Sequence, residues 1–212
     1  MRRDRPEQKP AKRLAFPNPL LVVVSGPSGV GKSTIVAELA RRRPQVVPIV
    51  TATTRERREG EIDKVHYHFL TPDEFQQLRD RSGLLEQAVV HDHWYGTPID
   101  QVRGILAAGR DAILTIDPQG ARSVRALVPD ALLIFVAPPS IEDLDQRLAQ
   151  RGSEDGPERA LRRRNAEAEM AAVDDYDYVI VNQTGHPDAA VEQIWEIIQA
   201  EARRDPPRRV QV

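Results

Sequence analysis

The stretch Val22–Thr34, reading V-V-V-S-G-P-S-G-V-G-K-S-T, constrains this chain more than any other. Gly26, Pro27, Ser28, Gly29, Val30, Gly31, Lys32 and Ser33 fit the pattern G-x-x-x-x-G-K-[ST], and Thr34 follows. The apolar run before them reads as a buried strand and a helix begins near Lys32, so the strand–loop–helix context that the pattern needs is present. Glycines let backbone N–H groups converge on an anion, and the helix start adds the positive end of its dipole. The loop is therefore read as a cradle for the phosphates of a nucleoside triphosphate. Lys32 is placed to reach the β- and γ-phosphates, and the Ser33 hydroxyl to ligate Mg²⁺, a hard cation that prefers oxygen.

From Leu20 onward, short apolar runs alternate with helical stretches, which predicts an α/β fold with a parallel sheet flanked by helices. The helix from Lys32 carries Ile35, Val36, Leu39 and Ala40 on one face and ends at Arg41, Arg42, Arg43 and Pro44. Strands are expected at Val46–Val50, Ala112–Ile116, Ala131–Val136 and Tyr178–Val181, and helices at Pro98–Ala107, from Pro118, at Ile141–Arg151, at Pro157–Ala172 and at Asp188–Ala200. Between Thr51 and Thr97 the pattern changes to charged turns and short alternating runs with one helix near Pro72–Arg81, read as an inserted small sheet. One domain is thus expected over 19–203, with core segments 19–50, 98–151 and 173–203, the insertion 51–97, and a helical lid 152–172 hinged at Gly152–Gly156. The polar tail 1–18 is expected to be disordered and 204–212 to be frayed.

The 212 residues carry a net charge of only −2, so nothing general points to nucleic acid as a partner. No cysteine is present, which excludes disulfides and thiol catalysis and suits the cytoplasm. No apolar run approaches the roughly 20 residues that span a bilayer, and the N-terminus lacks a secretory h-region, so no membrane role is expected. His91 and His93 have no third ligand nearby, and the turn with Trp94 reads as an exposed loop. Trp195 shares a helical face with Val191 and Ile198 and reads as core.

In T-T-R-E-R-R-E-G-E, Arg55 and Arg58 can converge on one phosphate, because guanidinium forks bind phosphate oxygens in pairs. Downstream stand H-Y-H-F at His66–Phe69, Glu86 after an apolar pair, and W-Y-G-T at Trp94–Thr97. With the phosphate loop, I-D-P-Q-G, A-P-P-S, R-L-x-x-R-G and V-I-V-N in the same order, the chain resembles the guanylate kinase family from Leu20 to about Ala200. That resemblance implies a nucleoside monophosphate kinase that uses Mg·ATP and acts on GMP, with dGMP as a further acceptor. It implies that Arg55, Arg58, Tyr67 and Tyr95 hold the GMP phosphate, with Glu61 in the same loop. Glu86 would accept from guanine N1 and N2, Thr51 and Thr97 would contact the base, and Asp117 would stand near its edge. Arg147, Arg151 and Arg162 would close over the transferring phosphoryl group. Whether the protein is a monomer or a homodimer is left open.

The chemistry agrees with that implication. A carboxylate suits the paired donors of guanine and faces the bare N1 acceptor of adenine, and unpaired buried groups cost on the order of 1–3 kcal/mol each. No general base is required, since the second pKa of a phosphate monoester is about 6. Asp117 and Pro118 also read as a helix N-cap followed by proline at N1, a role compatible with the site. Thr115 and His66 stand where the family commonly carries acidic residues. The rival readings are a binding module that keeps the fold without catalysis, and a kinase for another phosphorylated small molecule.

Overall fold

The computed structural model describes residues 18–90, 92–150, 164, 166 and 168–212, with the side chains of 148–150 outside that description. Its strands are β1 (Leu21–Ser25), β2 (Val46–Pro48), β3 (Ala52–Thr53), β4 (His68–Phe69), β5 (Leu84–Val90), β6 (His93–Pro98), β7 (Asp111–Thr115), β8 (Leu132–Ala137) and β9 (Tyr178–Val181). Five of them form a parallel sheet in the order β2-β7-β1-β8-β9. Leu21, Val22, Val23 and Val24 are all 0% exposed, because β1 is the central strand and both faces of the sheet are covered. Val22 and Val24 pack under α1 (Lys32–Arg42) and the C-terminal helix, and Leu21 and Val23 face the opposite layer that holds Val102 and Val124. Alternate residues along β1 thus seed two cores.

The remaining strands make a second, mixed sheet in the order β4-β3-β6-β5, in which β3 and β4 run parallel and the other pairs antiparallel. The helix α2 (Pro72–Asp80) that crosses it starts with a capping box, in which Thr71 accepts from the Glu74 amide while Glu74 accepts from the Thr71 amide. Phe75 of α2 stacks on Trp94 with centroids 6.0 Å apart, and Arg79 lies over the same ring. Trp94 is therefore part of β6 and the small core, and not an exposed loop residue. Helices α3 (Ile99–Ala107) and α4 (Pro118–Leu127) lead back into the parallel sheet, α5 (Ile141–Gln150) follows β8, and α6 (Pro187–Ala202) closes the chain. The basic end of α1 is tied to α6, where Arg43 reaches Glu192 at 3.0 Å and lies over the Trp195 ring.

Two further expectations need correction. The strand at Val46–Val50 stops at Pro48, since the Val50 amide is taken by Gln101 Oε1 at 2.6 Å instead of by a strand. The segment 204–212 is not frayed. Arg208 is 8% exposed and donates to Glu201 at 2.6 Å and to the Ala131 carbonyl at 3.2 Å, while Val210 and Val212 pack against the α3–α4 core. Most of the expected lid, and the whole 1–17 tail, lie outside the described residues. Among the described residues no helix is long and apolar enough to cross a membrane.

Candidate active site

A cavity of about 730 Å³ runs between the carboxyl ends of β1 and β7 and the face of the second sheet. That is where an open parallel sheet offers a crevice, because the connection from β1 leads to β2 on one side and that from β7 leads to β8 on the other. Lys32 and Ser33 line one end, and Glu61, Tyr67, Glu86 and Tyr95 the other, with Thr51, Thr115 and Asp117 between.

At the first end, the loop after β1 has a backbone that only glycine tolerates at its tightest point. Gly26 sits at φ 136°, and a Cβ there would lie 2.2 Å from the Val136 carbonyl oxygen of β8. Gly29 and Gly31 also have positive φ, and Gly31 precedes the first turn of α1. The Lys32 ammonium donates to the Gly26 carbonyl at 2.6 Å and the Pro27 carbonyl at 3.0 Å. Burial lowers its pKa to about 8, opposed by the nearby carboxylates of Glu169 and Asp117. The Ser28 amide donates to Glu169 at 3.3 Å. A cation, the Ser28 amide and the exposed Ser33 hydroxyl suit a polyphosphate with a hard cation.

At the other end, Arg55 and Glu61 form a two-point ion pair at 3.1 and 2.7 Å, and Glu61 also accepts from the Arg58 amide at 2.7 Å. These bonds hold the Glu61 carboxyl well below its ordinary pKa. The Arg55 guanidinium lies over the rings of Tyr67 and Phe69. His66 accepts from the Ile62 amide at 2.9 Å through Nδ1, a bond that a carboxylate in its place could equally make. Deeper in, Glu86 is 7% exposed and accepts from the Thr97 hydroxyl at 2.6 Å. Burial raises its pKa to about 7, with the Thr97 hydrogen bond opposing and Asp117 adding to the shift. Asp117 caps α4 by accepting from the Gly120 amide at 2.8 Å, so the capping role coexists with a place in the cavity wall.

Of the residues singled out in the sequence, Lys32, Ser33, Thr51, Glu61, Tyr67, Glu86, Tyr95 and Asp117 line this one cavity, and Thr97 backs Glu86. Arg55 reaches the wall through Glu61 and Tyr67, whereas Arg58 is exposed and joins through its backbone. Arg147 lies behind the loop, with its guanidinium on the Val30 carbonyl at 3.2 Å, the Asn182 carbonyl at 2.7 Å and the Thr184 hydroxyl at 2.9 Å. Arg151 and Arg162 lie outside the described residues. Among the described residues no cluster of histidines or carboxylates could hold a metal ion by itself.

Two contributors were not singled out as site residues in the sequence. Gly120 makes room for Glu86, since a Cβ there would lie 3.3 Å from Glu86 Oε2. Only its place in I-D-P-Q-G hinted at this. Asn182, in V-I-V-N, donates to the Val30 carbonyl at 2.7 Å and so braces the loop.

A family profile for guanylate kinase matches residues 18–201. A guanylate kinase of Thermobifida fusca is 50% identical over 167 residues, covering 78% of this chain and 85% of the relative. One of Cutibacterium acnes is 44% identical over 190 residues, covering 89% and 94%. In three dimensions the chain is similar to the crystal structure of guanylate kinase from Anaplasma phagocytophilum, with a TM-score of 0.72, 29% identity and 88% of each chain covered.

Proposed function

The chain belongs to the guanylate kinase family, and from that membership we propose that it transfers the γ-phosphoryl group of ATP to GMP, giving ADP and GDP. The observation that carries the acceptor assignment is Glu86, a carboxylate 7% exposed in the wall of the cavity that Lys32 and Ser33 line at its opposite end. Two parallel donors, such as guanine N1–H and N2–H₂, match a carboxylate of this kind, and adenine offers it an acceptor instead.

In this reading the Gly26–Thr34 loop amides and Lys32 hold the donor phosphates, and Ser33 would ligate Mg²⁺. When bound, the ion supplies charge neutralisation across the donor phosphates. Lys32 would leave the carbonyls of Gly26 and Pro27 to meet phosphate oxygens, a stronger, charge-assisted partner. Arg55, Arg58, Tyr67 and Tyr95 would hold the acceptor phosphate, and Arg55 would exchange one or both of its Glu61 bonds to do so. Thr51 and Asp117 would flank the base, and Thr97 would fix the Glu86 rotamer. Orientation and charge stabilisation are the whole of the protein's part, as the acceptor is already anionic. Arg151 and Arg162 are the candidates for stabilising the transferring group, Arg147 would join them only by leaving the Val30 and Asn182 carbonyls behind the loop, and segment 152–172 is the proposed lid. The cytoplasm, where ATP and GMP are both at hand, is the proposed place of action.

The deciding experiment is ADP release in a coupled assay with GMP, dGMP, AMP, UMP and CMP. Turnover with GMP and dGMP, and little with the others, is the expected outcome. GMP binding without turnover would make the chain a binding module, and turnover with a different acceptor would make it a kinase of another substrate.

A further inference from the structure

The Ser28 amide belongs to the loop read above as the donor cradle, and the inference below rests on that reading. This amide has an anionic partner from a segment 141 positions away: it donates to Glu169 Oε2 at 3.3 Å. Glu169 is half-buried, and its own carbonyl accepts from Ala172, which anchors it just before the turn at Val173–Asp175. Its carboxylate is also the main charge partner of Lys32, ahead of Asp117. Seen from the other side, burial drives the Glu169 carboxyl toward its neutral form, and Lys32 first and the Ser28 amide second pull it back. The Ser28 amide and a carboxylate oxygen thus meet at the loop, with the Lys32 ammonium acting on that carboxylate through charge. A loop amide is the kind of donor that a phosphate oxygen takes at such a loop, and here a carboxylate is in its place.

An ordinary surface ion pair would join two flexible side chains. Here the bond goes to a backbone amide of an exposed loop residue, and the carboxylate is itself partly withdrawn from water. The Lys32 ammonium already donates to the Gly26 and Pro27 carbonyls, so the acceptor that the glutamate supplies is the one for the Ser28 amide. We propose that Glu169 is an internal stand-in for a donor phosphate, occupying the Ser28 amide in the nucleotide-free protein and lowering the loop's affinity for polyphosphate until it is displaced. Glu169 is in this sense a residue that sets donor affinity, separate from those that recognise the acceptor.

The test titrates inorganic tripolyphosphate, without divalent ions, into the full-length protein by calorimetry. Glu169→Gln removes the charge and leaves a weaker, neutral acceptor at the same reach, and Glu169→Asp keeps the charge on an arm too short to reach the amide. GMP binding by each protein serves as the folding control. The expected result is tighter tripolyphosphate binding by roughly three- to tenfold in Glu169→Gln, the worth of exchanging a charge-assisted hydrogen bond for a neutral one and removing a like charge, and by a smaller factor in Glu169→Asp. The Ser28 amide resonance gives an independent readout. It should move on Glu169→Gln in the free protein and coincide with wild type once tripolyphosphate is saturating. Unchanged or weaker binding by Glu169→Gln overturns the inference, as does a Ser28 resonance that differs equally in both states. Equal affinity in Glu169→Asp and wild type, beside a gain in Glu169→Gln, would reduce the effect to diffuse charge and also overturn it. Failure of wild type and variants alike to bind tripolyphosphate would overturn the donor-site reading itself, which is a different outcome from binding that Glu169 does not alter.

Discussion

Thr97 donates its hydroxyl proton to Glu86 across 2.6 Å, and the pair lies within the wall between the second sheet and α4, at 0% and 7% exposure. The bond fills one lone-pair site of the carboxylate and leaves the others for a ligand. Substitution Glu86→Gln keeps the shape and replaces one acceptor by a donor. The KM for GMP should rise on the order of ten- to a hundredfold, while that for ATP changes by less than about twofold. Equal losses for both substrates in steady-state assays would sink the base-recognition role.

The pKa of about 7 for Glu86 predicts a pH dependence. Guanine's donors require the ionised carboxylate, so GMP affinity should fall as pH drops below about 7, more steeply than in Glu86→Gln. The acceptor's own phosphate, with a second pKa of about 6, titrates in both proteins and cancels in the comparison. Stability has the opposite sign. A carboxyl whose folded pKa is raised favours the folded state most below its unfolded pKa, and loses that contribution as pH rises through the folded value. Urea unfolding between pH 5 and pH 8, with Glu86→Gln as reference, measures that slope.

Gly120→Ala should separate stability from substrate recognition. A methyl group would sit 3.3 Å from Glu86 Oε2 and 3.2 Å from Ile116 Cδ1, and must push one of them. Because the position lies in the first turn of α4, the helix itself gains up to about 1 kcal/mol from alanine. The expected outcome is a melting temperature near wild type with a several-fold higher KM for GMP. A destabilised protein with an unchanged KM would refute this account of the glycine.

Arg208→Met should destabilise without touching catalysis. The guanidinium is 6% exposed and neutralises Glu201 at 2.6 Å, with Asp177 at 3.5 Å. Breaking a buried pair strands its partner, at a cost of about 2–4 kcal/mol here, since Tyr178 continues to donate to Glu201 at 2.7 Å. Denaturant unfolding checks the loss, and kcat should stay at the wild-type value.

The platform was legible because its signals are local. An apolar run, a glycine loop and a helix announce one another within Leu21–Arg42, and Asp117–Pro118 announces the start of α4. Glu86 was legible only through its neighbours in the resemblance, since nothing in L-L-E-Q-A-V-V says that this strand is walled in. What escaped depends on contacts distant in sequence. Arg208 looks like a residue of a solvated tail until Glu201 and Ala131 are beside it, and Glu169 looks like a helix-surface acid until Ser28 is. The strands β3 and β4 are too short to carry any periodicity and exist because β6 offers β3 a template and β3 in turn offers one to β4.

The two-point pair of Arg55 with Glu61 has a consequence for what the cell's other anions can do here. A guanidinium with both arms engaged is a poor trap for stray phosphate, sulfate or bicarbonate, because each would have to evict a carboxylate already seated in the right geometry. A ligand that also brings partners for Glu86 has something to set against that eviction. On the proposed function, the acceptor site would thus be insulated against abundant small anions, with occupancy reserved for molecules that carry the base and the phosphate together.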